Sequence, residues 1–450
     1  MEKPRYAGAF LFPMEPTYAE LQIDAGWLLP IEPEAPLPQH SVVITGGRIV
    51  DVLPTAAAAT RYAPRHRVDL STHIVLPGLV NAHCHAAMTL LRGIADDLLL
   101  HDWLEAHIWP REAAHLSAEF VFDGSLLAAS EMIRGGITTC SDMYFFPEAT
   151  ARALRQSGMR VQLGLPVVDF PSAYARDADD YLQRGLAVRD RMRDDPLTSF
   201  ALAPHAPYTV SDAAFSKIVI YAEELGLPIQ THLHETEREI ADSLAAHGCR
   251  PLARLDALGA LGPAFSAIHA VHFGDDDIAA LRHNASHVIH CPSSNLKLGS
   301  GIAPVASMLA SGINVALGTD GAASNNRLDL FEEMRLAALL AKGSTRDATA
   351  LPARRAVAMA TLGGARALGL DSAVGTIAVG KAADLIAVDV ESPELSPLFD
   401  PYSHLAYAAS RADVSHAWVA GECILDDRQL TQCDLPAILR MAKHWQEKLK

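Results

Sequence analysis

The sequence predicts an α/β protein: a (β/α)8 TIM-type barrel with a small β-sandwich domain built from both chain ends. Three observations predict it. The middle of the chain alternates eight short apolar, β-branched runs with stretches of helical period. Both ends alternate apolar and polar residues instead, the period of half-buried strands. Polar side chains then gather at the C-terminal ends of the eight runs, where a closed parallel barrel does its chemistry.

Taken in order, residues 1 to about 20 hold prolines and aromatics without periodicity and read as an extension. From Leu21 to about Leu70, LQIDAGWLLPI, SVVITGGRIVDVLP and HRVDL read as strands, with Gly46-Gly47 as a tight turn. The eight barrel strands are HIVLPGLVNA, GITTCSDM, RVQLGLPVVD, SFALAPH, LPIQTHLHE, SAIHAVHF, SHVIHCP and INVALGTD. Between them, SAEFVFDGSLLAASEMIRGG, SDAAFSKIVIYAEELG and ADSLAAHGCRPLARLDALG carry helical spacing and end on glycine. GTIAVGKAADLIAVDV and SHAWVAGECILDD return to strands, and LPAILRMAKHWQEKLK closes the chain as a helix. The expected division is residues 1–74 and 375–450 for the sandwich and 75–374 for the barrel.

Composition sets the outer bounds. The 450 residues are half hydrophobic and one-fifth charged, which suits a large core. A net charge of −16 argues against nucleic acid, whose phosphates call for a basic surface. The six cysteines contain no C-x-x-C pair, so they read as reduced thiols. The N-terminus lacks the pattern of a signal peptide, and no apolar run reaches the roughly 18 residues of a membrane span. A cytoplasmic protein with a small-molecule partner and no membrane contact is expected.

Four segments carry metal chemistry. His83 and His85 flank one residue after the first run, so their imidazoles share a face. His232 follows the fifth run and Asp320 the eighth. Three imidazoles and a carboxylate suit zinc or a similar divalent ion with a position left for water, which is the equipment of a metal-dependent hydrolase. Glu235 lies where its loop can turn a carboxylate over the ion as a proton carrier. His269 is either a hydrogen-bond donor to the bound water or a fourth imidazole ligand, and Asp320 can also take a proton. His205, at the end of the fourth run, is available to substrate. His234 alternates to the opposite face and is left out of the site. No G-x-S-x-G elbow, P-loop, dinucleotide fingerprint or H-x-E…P-C-x-x-C signature occurs.

PGLVNAHCHAAMTLLRGIADD, APHAPYTVSD, THLHETERE, HCPSSNLKLGSGIAPV and ALGTDGAASNN resemble the amidohydrolase superfamily along nearly the whole chain. The nearest likeness is to the 5-methylthioadenosine/S-adenosylhomocysteine deaminases. The resemblance implies zinc on His83, His85, His232 and Asp320; the mechanism expected from these residues makes Glu235, Asp320 and His269 catalytic. It implies substrate contacts from Glu112, His205, Glu235 and Asp320, with Trp103 near the sugar substituent. A Glu112 carboxylate can accept two hydrogen bonds from a ribose diol, which separates nucleosides from the free bases and s-triazines of related deaminases and chlorohydrolases. Two-metal barrels of this superfamily use a bridging lysine at the fourth strand; SFALAPHAPY has none, so a single ion is expected. Relatives that bind the homocysteine carboxylate place arginines after the third strand. Here Leu165 stands at one such place and Arg176 is the only nearby candidate. The departure points to 5′-methylthioadenosine over S-adenosylhomocysteine. A homo-oligomer is compatible with the resemblance, with no interface marked in the sequence.

Overall fold

The computed structural model describes residues 16–450. Residues 1–15 lie outside them, and with them most of the expected extension. The alternating N-terminal segment forms β1 (Thr17–Leu28), β2 (Leu37–Thr45), β3 (Arg48–Pro54) and β4 (Tyr62–Pro77). The eight apolar runs supply β5 (Leu79–Cys84), β6 (Ile137–Met143), β7 (Arg160–Val167), β8 (Thr198–Pro204), β9 (Ile229–Leu233), β10 (Phe265–His269), β11 (His287–His290) and β12 (Asn314–Leu317). The C-terminal part adds β13 (Leu385–Asp389), β14 (Val414–Val419), β15 (Glu422–Asp426) and β16 (Gln429–Leu430). Of the expected strand stretch GTIAVGKAADLIAVDV, only the last part is a strand.

The strands from the two chain ends form one hydrogen-bonded sheet in the order β16-β15-β14-β13-β4-β1-β2-β3. The ends meet where β13 pairs antiparallel with β4. This unit has its own core, with Ile23, Val42, Ile44, Leu70, Leu385 and Trp418 buried together. The run HIVLPGLVNA divides between the sheets. Its first half ends β4, and its second is β5, so residues 75–77 lie in the small sheet and not in the barrel. Gly78 makes the break: its N–H donates to the Asp384 carbonyl at 3.0 Å. A Cβ there would sit 2.0 Å from Thr138 Oγ1, so only glycine lets the chain pass.

β5 to β12 run parallel and neighbour one another in sequence order. The ring closes by hydrogen bonds between its first and last strands. Asp320 N donates to the His83 carbonyl at 3.1 Å. The Asn81 side chain accepts from Thr319 N at 2.9 Å and donates to Thr319 Oγ1 at 2.7 Å. Val80, Ala82, Ala203, Ile268, Ile289 and Ala316 pack together as a barrel interior. The helix Leu362–Ala367 sets Ala365 and Ala367 into the same cluster next to Ala360, whose carbonyl accepts from Val80 N at the start of β5. The N-terminal mouth is thereby plugged, and the C-terminal mouth is left for chemistry.

The barrel and the sheet are tied by Arg160, which opens β7. Its Nε and Nη2 donate to Asp384 at 2.8 and 3.1 Å, and Asp384 also accepts from Ala420 N at 2.8 Å. The helices form where caps predict them. Ser117 caps Ala118–Arg134, and Ser211 caps Asp212–Leu225, which ends at left-handed Gly226. ADSLAAHGCRPLARLDALG splits in two, Glu237–His247 and Pro251–Ala257, because Gly248 ends the first helix and Pro251 opens the second. The final helix, Leu435–Lys448, docks through Trp445, whose Nε1 donates to Asp123 at 2.7 Å. Among the described residues no helix is long and apolar enough to cross a membrane.

Candidate active site

β5 ends on His83 and Cys84, and His85 follows directly. His83 is fully buried. Its Nε2 lies 3.2 Å from His232 Nε2 and 3.5 Å from Asp320 Oδ1, and His85 Nε2 lies 3.3 Å from the same oxygen. Ligating atoms of His83, His85 and His232 fall within 4.8 Å of one another. Two of these rings have a fixed tautomer. His85 Nδ1–H donates to the Met143 carbonyl at 2.5 Å, and His232 Nδ1–H to the His205 carbonyl at 2.6 Å. The Nε2 of each therefore turns a lone pair inward. Burial pushes His83 down to about 4 and His232 lower than an ordinary histidine, so both rings are neutral. Converging lone pairs beside a carboxylate repel one another unless a cation lies between them. Nitrogen and oxygen donors in that number suit a divalent ion of the zinc class.

Asp320 is held by a clamp. Its Oδ2 accepts from Ser294 Oγ at 2.6 Å and Ser324 Oγ at 2.8 Å, and its Oδ1 accepts from Gly321 N at 2.8 Å. Oδ1 is the oxygen that faces the histidines. Burial would raise this acid, but the hydrogen bond to His83 and the field of His85 hold it well below the usual carboxylate range. His269 Nδ1–H donates to Asn295 Oδ1 at 2.8 Å, and its Nε2 lies 3.7 Å from Glu235 Oε2. Burial pushes the Glu235 carboxyl up from the ordinary carboxylate range. His234, His269 and Asp320 all have positive φ, at 52, 72 and 60°. Such strain in non-glycine residues gathers at functional sites.

Above these groups lies a cavity of about 360 Å³. His85, His205, His232, Glu235, His269 and Asp320 line its floor, and Trp103 and Glu112 are in its wall. His205 Nδ1 pairs with Thr209 Oγ1 at 2.9 Å, and burial pushes its ring down to about 3. Glu112, on the helix Trp109–His115, accepts a short hydrogen bond from Tyr144 OH, and burial pushes its carboxyl up to about 7.

Nine of the ten site residues named from the sequence thus converge on one mouth. Arg176 does not. Its guanidinium is largely exposed and pairs with Asp180 one helical turn on, at 3.3 Å, and it is absent from the cavity lining. The N-cap Asp177 starts the helix Ala178–Met192 directly after it, which sends the arginine outward. His234, as expected, faces elsewhere, its Nε2 accepting from Leu252 N at 3.0 Å. Four residues that sequence reasoning passed over belong here: Tyr144, Ser294, Asn295 and Ser324. The stretches HCPSSN and GAASNN carry the last three, but a hydroxyl's partner across two loops has no local signature.

Glu333 joins those two loops. It accepts from Ser293 N at 3.1 Å and Asn325 Nδ2 at 2.8 Å. Burial pushes its carboxyl up to about 8 from an ordinary 4.5. In that window the folded chain holds a proton that the unfolded chain releases, so stability falls as pH rises. Glu333→Gln is expected to flatten this fall between pH 5 and 8 by roughly 2–4 kcal/mol, read from urea midpoints.

The family model described as the amidohydrolase family matches residues 74–424. A 5-methylthioadenosine/S-adenosylhomocysteine deaminase of Teredinibacter turnerae is 46% identical over 434 residues, covering 96% of this chain and 98% of that one. A 5′-deoxyadenosine deaminase of Methanosarcina mazei is 41% identical over 440 residues, covering 96% and 98%. A zinc-bound adenosine deaminase from Xanthomonas campestris superposes with a TM-score of 0.95 at 47% identity, over 96% of this chain and 99% of that one. The chain therefore belongs to the amidohydrolase family and, within it, to the 5-methylthioadenosine/S-adenosylhomocysteine deaminases.

Proposed function

We propose that the protein hydrolyses the exocyclic amine of adenosine-type nucleosides, giving the inosine analogue and ammonia. The observation that carries this reading is the meeting of His83, His85, His232 and Asp320 beneath a cavity whose wall offers Glu112 to a ribose diol. His83, His85, His232 and Asp320 would hold the divalent ion, whose chemistry would be to lower the pKa of water toward neutrality. The chain's own groups perform the rest. Asp320 accepts the proton of the attacking water, and Glu235 donates a proton to ring N1, so that C6 becomes electrophilic. The water oxygen then adds at C6, protons pass to the exocyclic nitrogen, and the C6–N bond breaks to release ammonia and leave the inosine-type carbonyl. His205 and His269 orient the ring and the water from either side. The six cysteines are all free, in keeping with a cytoplasmic setting.

The 5′ end of the substrate is read by the same wall. Trp103, Leu104, Ile108, Trp109 and Phe170 line it, and the described lining residues include no lysine or arginine. The carboxylate of a zwitterionic homocysteine tail would be buried without a cationic side chain to pair it, at a cost of several kcal/mol before relaxation. An uncharged methylthio or deoxy group fits. In an ammonia-release assay, 5′-methylthioadenosine is expected to exceed S-adenosylhomocysteine in kcat/KM by about tenfold, the equivalent of about 1.4 kcal/mol, with free adenine inert. A clear advantage for S-adenosylhomocysteine would sink the tail assignment. Turnover of adenine would sink the role of Glu112.

A further inference from the structure

We propose that Glu239 is a positioning residue for Glu235, holding the turn that aims the Glu235 carboxyl into the cavity. The inference rests on the reading of Glu235 as the proton donor. Its starting point is a departure from ordinary helix capping. Thr236 caps the helix Glu237–His247, its Oγ1 accepting from Glu239 N at 3.3 Å. Thr-x-x-Glu is the pattern of a capping box, in which the glutamate reaches back to the backbone N–H of its own cap. Glu239 reaches further. Its Oε1 accepts from His234 N and its Oε2 from Glu235 N, each at 2.9 Å.

Both amides belong to the turn that follows β9. His234 occupies the left-handed region there, at φ 52°, a conformation that costs a non-glycine residue on the order of 1–2 kcal/mol. That turn reverses the alternation of the strand. Without it, Glu235 would lie on the side of β9 set by simple period-2 order, three residues beyond His232. With it, Glu235 lines the catalytic cavity with His269 beside it.

The His234 ring is anchored separately by Leu252 N, so the turn is fixed on one side by a side chain and on the other by the Glu239 carboxylate. Glu239 is 4% exposed and makes no ion pair within 4 Å among the described residues. Burial pushes it up to about 7. A buried carboxylate without a cation is unfavourable, and its two partners here are the amides of the turn and not groups of its own helix.

The test compares Glu239→Ala, Glu239→Gln and Glu235→Gln as zinc-loaded full-length enzymes. Glu239→Ala is expected to lower kcat for 5′-methylthioadenosine by about 10²-fold, the effect of misplacing a catalytic group by about 1 Å. KM should stay within about threefold and zinc content at the wild-type level. Glu239→Gln, which keeps one acceptor oxygen, should recover part of the rate. Amide exchange at Glu235 should quicken in Glu239→Ala and not in Glu235→Gln. Full kcat in a folded Glu239→Ala enzyme, with Glu235→Gln inactive, would overturn the positioning role alone. A fall in kcat matched by loss of zinc would overturn it too, by making Glu239 a support for His232. Wild-type turnover in Glu235→Gln would instead overturn the reading of Glu235.

Discussion

Glu235→Gln is expected to keep its fold and its metal while turnover falls by about 10²–10⁴-fold. The two side chains have the same shape, and Glu235 is only 5% exposed, so packing is unchanged. The amide can still offer an N–H toward a ring nitrogen, but it cannot give up the proton. Binding should survive and chemistry should not, so kcat falls while KM moves little. This split separates a proton donor from a group that only grips the substrate. The checks are steady-state kinetics on 5′-methylthioadenosine and metal analysis of the same preparation. Turnover within a few-fold of wild type would remove Glu235 from the reaction.

Chelation is expected to silence the protein and also to soften it. His85 and His232 direct Nε2 lone pairs at one point beside Asp320 Oδ1, with His83 Nε2 3.2 Å from His232 Nε2, and without a cation the lone pairs and the carboxylate repel. Adding zinc at about a thousandfold over its Kd should stabilise the fold by about 4 kcal/mol, because only the folded chain brings the donors together. His83→Ala removes the most buried of them, so the zinc-dependent rise in Tm should shrink sharply and activity should drop to background. The readouts are thermal melts with and without zinc, and ammonia release after zinc is restored. An unchanged Tm response in His83→Ala would place the ion elsewhere.

Much of this was legible in the residues themselves. The eight parallel strands sit where β-branched runs occur, and His83, His232, His269 and Asp320 fall at or just past the ends of those strands because a barrel's polar residues collect at that mouth. Glu235 was visible as a carboxylate after a strand, but the left-handed His234 that swings it inward was not, since periodicity says nothing of φ. HIVLPGLVNA reads as one strand because hydrophobicity is continuous through it. Its division at Gly78 depends on Thr138 and Asp384, both distant in sequence. Arg176 illustrates the opposite limit. Its place in the chain suggested a substrate contact, and a neighbouring helix cap with Asp180 took the side chain away.

The seam of the barrel has a consequence for biosynthesis. Asn81 and Thr319 meet across it, though they are 238 residues apart along the chain. A nascent polypeptide that has emerged only as far as the seventh strand already carries every imidazole of the cluster but not its acid. A chain that ends before the eighth strand therefore lacks the carboxylate of the cluster, and the four groups come together only when the last strand docks beside the first.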